Sequence, residues 1–192
     1  MDKLIKDIPQ ALIYEMVDGK PIYYRDYQEY LSGDKEIEEI MGSSYLQSLI
    51  ITELVILLSK LLDSEQLRIL ANEIGIQFSK KSWRSADIAI YEKAKISQIA
   101  PTNKYLKIPP KIVFEVDTKA HLKDLDNPFG YFQEKTGQLL NFGVEKVIWI
   151  FTETQKVMLA EKNKDWVISD WMKSFQLEEH IEINISQLIG EA

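Results

Sequence analysis

The sequence predicts an α/β fold, in which a mixed β-sheet is flanked by helices and preceded by an N-terminal β-hairpin. A turn-forming Asp18-Gly19 pair between two short apolar runs predicts the hairpin. Apolar residues recur at helical spacing over residues 44–62. A charged strand, a helix and a continuous apolar strand follow one another over residues 111–151, which is the order of a parallel crossover.

The composition predicts one domain. The chain has 192 residues, of which 45% are apolar, and this is enough for a single core over residues 1–192. Within it, residues 1–30 form the N-terminal hairpin region and residues 86–151 the central core. The chain has no cysteine, which excludes disulfides and thiolate metal sites. No apolar run approaches the roughly 20 residues of a membrane span and the start lacks a signal-peptide pattern, so we expect a cytoplasmic protein.

Charge is unevenly distributed along the chain. The net charge of -7 argues against a nonspecific nucleic-acid coat, which depends on clustered lysine and arginine. Residues 80–123, however, contain ten basic and four acidic side chains. This basic segment is a candidate nucleic-acid contact, and its candidate residues are Lys80, Lys81, Arg84 and Lys123.

The first half of the chain contains the hairpin and a long helix. The hairpin strands are predicted at residues 12–17 and 21–24. Ser43 or Ser44 can cap the helix predicted at residues 44–62. Glu53 lies within the apolar arc of this helix, so it is either at the edge of a wide stripe or a carboxylate that reaches inward to a site.

Three strand-like runs follow, at residues 67–70, 73–78 and 86–91, with a polar, basic stretch at residues 79–85. In the third run, alternation predicts that Ala86 and Ile88 share one face with Ile90 and that Asp87 lies on the other. Asp87 is therefore a candidate inward-facing carboxylate.

Residues 111–119 alternate as a strand with charges on one side. The predicted core face holds Ile112, Phe114 and Val116, and the opposite face holds Val113, Glu115, Asp117 and Lys119. Charges on a core strand are costly unless they are paired, hydrogen-bonded or bound to metal. The strand is therefore a candidate site.

The second half continues with a helix predicted at residues 129–142, a buried strand at 147–151, a hairpin at 156–161 and 166–169, and a final segment at 181–189. Lys135 lies on the same side of the helix as the apolar Phe132 and Leu139. A lysine in that position either extends to solvent or meets a carboxylate.

After other familiar types of site are excluded, the remaining candidate site combines carboxylates with lysine. There is no phosphate-binding glycine loop or dinucleotide motif, and two histidines are too few for a histidine-rich metal centre. Asp87, Glu115 and Asp117 are hard oxygen ligands of the kind that suits Mg²⁺ or Mn²⁺, and Lys119 could activate a water or offset phosphate charge. Together these are the components of metal-assisted phosphodiester hydrolysis, but such charge clusters also occur in purely structural networks, and the pattern alone does not favour catalysis over that alternative.

Asp87 followed by Glu115-Val116-Asp117-Thr118-Lys119 resembles the PD-(D/E)xK nuclease superfamily, with Ala86 at the proline position. More narrowly, the chain resembles the Uma-two family of restriction-endonuclease-like proteins, a domain of unknown function. The segments that carry this resemblance are Asp18-Gly19-Lys20-Pro21, Ala86-Asp87-Ile88-Ala89, Pro109 to Val116, Lys135, and Gly143 to Ile150.

The resemblance implies a restriction-endonuclease-like fold whose nuclease core is residues 86–151, a metal-dependent endonuclease activity on DNA, and a homodimer. The superfamily supports Asp117 and Lys119, whereas the narrow family supports Glu115 and a lysine eight residues before a glycine, which is Lys135 before Gly143. Two other hypotheses stay open: an inactive nuclease-fold module that binds nucleic acid or protein, and an interaction domain whose charges pair only with each other.

Overall fold

The computed structural model describes residues 8–123 and 127–190. The strands are β1 (Ile13–Val17), β2 (Lys20–Tyr23), β3 (Leu67–Ser79), β4 (Ser82–Glu92), β5 (Ile112–Val116), β6 (Lys146–Phe151), β7 (Lys156–Glu161), β8 (Val167–Asp170), β9 (Phe175–Glu178) and β10 (Ile181–Ile183). The helices are α1 (Tyr27–Ser32), α2 (Ile37–Met41), α3 (Tyr45–Leu61), α4 (Lys93–Ile96), α5 (Pro128–Phe142) and α6 (Ile185–Leu188). None of these helices is long and apolar enough to cross a membrane.

Strands β1 to β8 form one mixed sheet in the order β2-β1-β4-β5-β6-β7-β8, with β3 paired to β4, and β9 and β10 form a separate pair. Strands β5 and β6 are parallel and are joined by α5, as the crossover prediction required. The remaining neighbouring strands of the described chain are antiparallel. The predicted fold class, a mixed sheet flanked by helices with an N-terminal hairpin, is confirmed.

The sheet has a hydrophobic layer on each face. On one face, α3 contributes Ile50, Leu54 and Leu58 to a core that includes Ile88 and Phe114. On the other face, α5 packs Leu139 and Leu140 against Val113, Val147 and Trp149. The alternation along β5 therefore divides its apolar side chains between the two layers. Helix α3 begins where predicted, because the Ser44 hydroxyl accepts a hydrogen bond from the Gln47 backbone N–H at 3.1 Å.

Two predicted boundaries are wrong. The runs at residues 67–70 and 73–78 are one strand, β3, and the basic stretch at residues 79–85 shrinks to a tight turn at Lys80 and Lys81. The charged strand does not continue to Lys119 but ends at Val116, because Asp117 has a positive φ of 58°.

The edge of β4 contains a gap that positions the site. Strand β3 pairs along one edge of β4. On the opposite edge, β1 pairs at Trp83 and β5 pairs at Ile88 to Ile90. Between these two ladders, residues 84–87 face no paired strand in the described part of the chain. Side chains must satisfy the backbone groups there.

Candidate active site

Asp87 lies where β4 is irregular on both edges. The ladder to β3 shifts between Ala71 and Ile74, so that Asn72 and Glu73 together oppose Asp87. Both bulge residues have positive φ, 76° for Asn72 and 54° for Glu73. A bulge of this kind redirects side chains and is frequent beside active sites. The bulge turns a strand position into a polar corner around Asp87.

The strand also changes face at this point. Ala86 packs in the α5 layer, whereas Ile88 and Ile90 pack in the α3 layer. The predicted shared face of these three residues is therefore wrong, although Asp87 is directed inward as expected. Its exposed fraction is 7%.

The Asp87 carboxylate closes part of the gap in the sheet. Its Oδ2 accepts a hydrogen bond from the Val116 backbone N–H at 2.7 Å. Burial raises the pKa of Asp87 to about 6, while the Val116 N–H and the Lys135 charge act in the opposite direction. A carboxylate held desolvated in this way is a recognised sign of a functional site.

Asp87 opens onto a cleft between α3 and the bulge of β3. The cleft has a volume of about 560 Å³. Its polar residues include Ser48, Thr52, Glu73, Asp87 and Lys119. The cleft thus exposes two carboxylates and one ammonium to an incoming ligand.

Lys119 is held at this cleft by two acceptors. Its Nζ donates to the Met41 carbonyl oxygen at 2.9 Å and forms an ion pair with Glu73. The Lys119 side chain is mostly buried. One lysine therefore ties together the loop after β5, the end of α2 and the bulge of β3.

Lys135 occupies the opposite layer and lies between two buried carboxylates. Its Nζ is 2.8 Å from Glu15 Oε1 and 3.0 Å from Glu115 Oε1. The same ammonium faces the rings of Tyr14 and Trp149 at 5.7 and 5.3 Å from their centroids. The sequence left two environments open for Lys135, solvent or a carboxylate. In the structure it contacts carboxylates.

The pKa values around Lys135 follow from burial and charge. Burial raises the pKa of Glu115 well above its ordinary value, and it is opposed by Lys135 and reinforced by the Asp87 charge. Burial lowers the pKa of Lys135, but Glu115 and Glu15 outweigh it and raise that pKa overall. The Asp87 charge thus raises the pKa of Glu115, and the Lys135 charge lowers the pKa of both carboxyl groups.

The oxygen donors of Asp87 and Glu115 are of the type that could hold a magnesium ion. No three Asp, Glu or His side chains converge on a single point within residues 8–123 and 127–190. Asp87 and Glu115 nevertheless occupy adjacent strands, each one position beyond the Ile88–Phe114 pair. Glu115 Oε1 is buried, and its charged partner is the Lys135 ammonium at 3.0 Å. Magnesium commonly takes one or two protein carboxylates and keeps several waters, so the donor set is adequate.

Asp117 does not lie with this pair. Its Oδ1 accepts from the Thr152 backbone N–H at 2.8 Å and its Oδ2 from the Thr152 hydroxyl at 2.6 Å. The carboxylate thus secures the end of β6. The predicted common face of Glu115, Asp117 and Lys119 is wrong, because the strand ends before the last two.

The four predicted nucleic-acid contacts have different environments. Arg84 is fully buried, and its Nη1 donates to Glu15 Oε2 at 2.8 Å, so its predicted role as a surface contact is wrong. Lys123 is exposed but its charge is paired with Asp26 and Glu29. Lys80 and Lys81 are exposed at the β3–β4 turn, seven and eight residues from Glu73 and so roughly 20–25 Å along the strand.

Glu53 is half-buried on α3. The cleft-lining residues that α3 contributes are Ser48, Ile51, Thr52, Val55 and Ile56. Among the described residues of the cleft Glu53 is absent, so of its two interpretations the edge of the apolar stripe agrees with the structure.

Two carboxylates of the site were missed from the sequence. Glu73 lies in β3, where the polar pair Asn72-Glu73 interrupts an apolar strand and was the available signal. Glu15 lies in β1 between Tyr14 and Met16, and an uncompensated glutamate in a predicted strand was its signal.

Comparison with known proteins identifies the fold. No protein-family model matches this chain, and no curated protein matches its sequence. A crystal structure described as "a putative nuclease belonging to DUF820 from Anabaena variabilis" is similar to it, with a TM-score of 0.66 and 14% identity. The similarity covers 92% of this chain and 89% of that one. The chain therefore has a nuclease-like fold.

Proposed function

We propose that this protein is a metal-dependent endonuclease that hydrolyses phosphodiester bonds of DNA at the cleft beside Asp87. The observation that carries the proposal is that Asp87, which opens onto the cleft, lies on the strand next to that of Glu115, which forms a buried ion pair with Lys135 of α5. The nuclease-like fold supports the same conclusion.

In this proposal Asp87 and Glu115 hold Mg²⁺, or Mn²⁺ in its place. The bound ion supplies a Lewis acid that lowers the pKa of a water and offsets the charge of the phosphate. Lys135 orients Glu115, because its ammonium lies 3.0 Å from Glu115 Oε1. Lys119 lines the cleft and faces the phosphate.

In the free protein, the residues around the cleft offer little unpaired positive charge to a polyanionic substrate. Glu73 neutralises Lys119 in the free protein. A substrate that reaches Lys80 and Lys81 from Asp87 must be extended, since the turn lies roughly 20 Å from the bulge. A DNA strand meets this requirement, whereas a single nucleotide does not.

A plasmid-nicking assay in Mg²⁺ or Mn²⁺ tests the proposal. Asp87→Asn and Glu115→Gln should each lower the nicking rate at least 100-fold. Glu53→Gln is the matched control, because it makes the same change of carboxylate to amide on a helix of the cleft but outside its lining. It should nick at the wild-type rate.

Equal nicking by wild type and both site variants would refute the assignment of the site. An inactive wild type whose DNA binding weakens with salt would favour the binding-module hypothesis instead. Comparison of Lys119→Met with Lys135→Met decides between the lysines, because loss of the lysine that contacts substrate should raise KM, whereas loss of the one that orients Glu115 should lower kcat.

A further inference from the structure

We infer that Glu15, in the N-terminal hairpin, is a positioning residue of the site: it holds Lys135 between two carboxylates and so keeps Glu115 available for a metal ion. This inference rests on the proposed function. Glu15 lies 100 residues from Glu115 in the sequence, and their shared partner Lys135 connects them.

A bulge in β1 brings Glu15 to Lys135. The register between β1 and β2 shifts between Ile13 and Glu15, where two steps along β1 correspond to one step along β2. Consecutive strand residues ordinarily point to opposite faces, but a bulge relaxes that rule. Tyr14 and Glu15 consequently both face the ammonium of Lys135.

Three hydrogen bonds and one ion pair fix the Glu15 carboxylate in place. Oε1 accepts from the Ser85 backbone N–H at 3.1 Å and lies 2.8 Å from Lys135 Nζ. Oε2 accepts from Arg84 Nη1 at 2.8 Å and from the Tyr131 hydroxyl at 2.9 Å. The Ser85 bond closes the gap in the β4 edge, so the carboxylate is anchored to the sheet itself.

Glu15 supplies one of the two negative charges in a fully buried cluster. Glu15, Glu115, Arg84 and Lys135 are each at most 1% exposed, and together they carry two negative and two positive charges. In this arrangement the Lys135 ammonium is shared between Glu15 and Glu115. Without the Glu15 charge, Glu115 is the carboxylate that remains within 4 Å of Lys135 among residues 8–123 and 127–190. The ammonium would then compete fully with a metal for Glu115.

Mn²⁺ titration of the full chain, by calorimetry or by the electron paramagnetic resonance signal of free Mn²⁺, tests this inference without measuring activity. Glu15→Gln should weaken Mn²⁺ binding about 10- to 100-fold, as loss of a partner that orients a ligand does in other metal sites. The double variant Glu15→Gln with Lys135→Met removes the competing ammonium and should bind Mn²⁺ more tightly than Glu15→Gln and as tightly as Lys135→Met, because Glu15 acts through Lys135.

Thr136→Val is the structural control. It deletes the buried hydrogen bond between the Thr136 hydroxyl and Trp149 Nε1, one residue from Lys135, and leaves all four charges in place. Its Mn²⁺ affinity should equal that of the wild type. Nicking by Glu15→Gln should recover when Mn²⁺ is raised, which general destabilisation does not explain.

The outcomes separate the two proposals. Wild-type affinity in both Glu15→Gln and the double variant overturns the positioning role and leaves the nuclease proposal intact. If Glu15→Gln does not fold, comparison of the double variant with Lys135→Met decides, because a lower affinity in the double variant would show that Glu15 does not act through Lys135 and would overturn the role. A wild type that neither binds Mn²⁺ nor nicks DNA overturns the proposed function and this inference with it.

Discussion

Asp87→Asn should make the metal-free protein more stable at neutral pH, although it should abolish nicking. The pKa of Asp87 is raised from 3.8 to about 6 by burial, so the folded state binds a proton more tightly than the unfolded state. The free energy of unfolding therefore falls as the pH rises from 3.8 to about 6. Above that range, the ionised carboxylate lowers it by about 3 kcal/mol. Asparagine carries no charge and can still accept from the Val116 N–H, so it avoids that cost.

Urea unfolding of both proteins in chelator, at several pH values between 4 and 8, measures the effect. The two should have nearly the same free energy of unfolding at pH 4, where Asp87 is largely protonated when folded. The variant should gain up to about 3 kcal/mol over the wild type by pH 7.5. A difference that does not change with pH would refute the claim that the Asp87 carboxylate is desolvated.

Asp26→Asn is a control of opposite sign. Hydrogen bonds from Lys123 and Lys35 lower the pKa of Asp26 to about 2. A carboxyl group whose pKa is lowered by folding stabilises the protein at pH values above its pKa in the unfolded state. This stabilisation is lost as the pH falls through its pKa in the folded state. This variant should therefore be less stable than the wild type at neutral pH and should approach it at acid pH.

Two further predictions concern residues whose roles the structure changes. Arg84→Met leaves Glu15 with one cation instead of two. Breaking a buried ion pair of this kind should lower the free energy of unfolding by about 3–5 kcal/mol, measured in urea. A loss below 1 kcal/mol would show that the pair is not buried as described. Asp117→Asn keeps a residue that tolerates positive φ but loses charge on the Thr152 bonds, so it should cost about 1 kcal/mol and leave nicking unchanged. A 100-fold loss of nicking in Asp117→Asn would instead restore Asp117 as a metal ligand.

The elements were predictable because local pattern determines them. Helical spacing over residues 44–62 and the run at residues 147–151 predicted α3 and β6 nearly to the residue. Asp87 and Glu115 were predictable for a related reason, since a charge in an otherwise apolar strand is conspicuous. Local alternation made both carboxylates candidates, together with Asp117.

The errors come from contacts that alternation does not encode. Asp117 continues the strand pattern of β5, but its bonds to Thr152 35 residues later accompany a left-handed conformation that ends the strand. Arg84 belongs to a basic segment, yet Glu15 pairs with it from 69 residues away. Both outcomes depend on contacts with residues that are distant in the sequence, and local sequence patterns do not identify such partners.

The gap in the edge of β4 explains why the site and the fold share residues. Two backbone N–H groups at this gap, those of Ser85 and Val116, donate to carboxylates, namely Glu15 and Asp87. A neighbouring strand would offer neutral carbonyls there and would leave no anion beside Glu115. With carboxylates in place of a strand, the sheet retains buried negative charge that only a lysine, a proton or a metal ion can balance. Ionised Asp87 is therefore expected to destabilise the metal-free fold. The same buried charge would favour binding of a divalent cation, because the bound ion would offset that destabilisation.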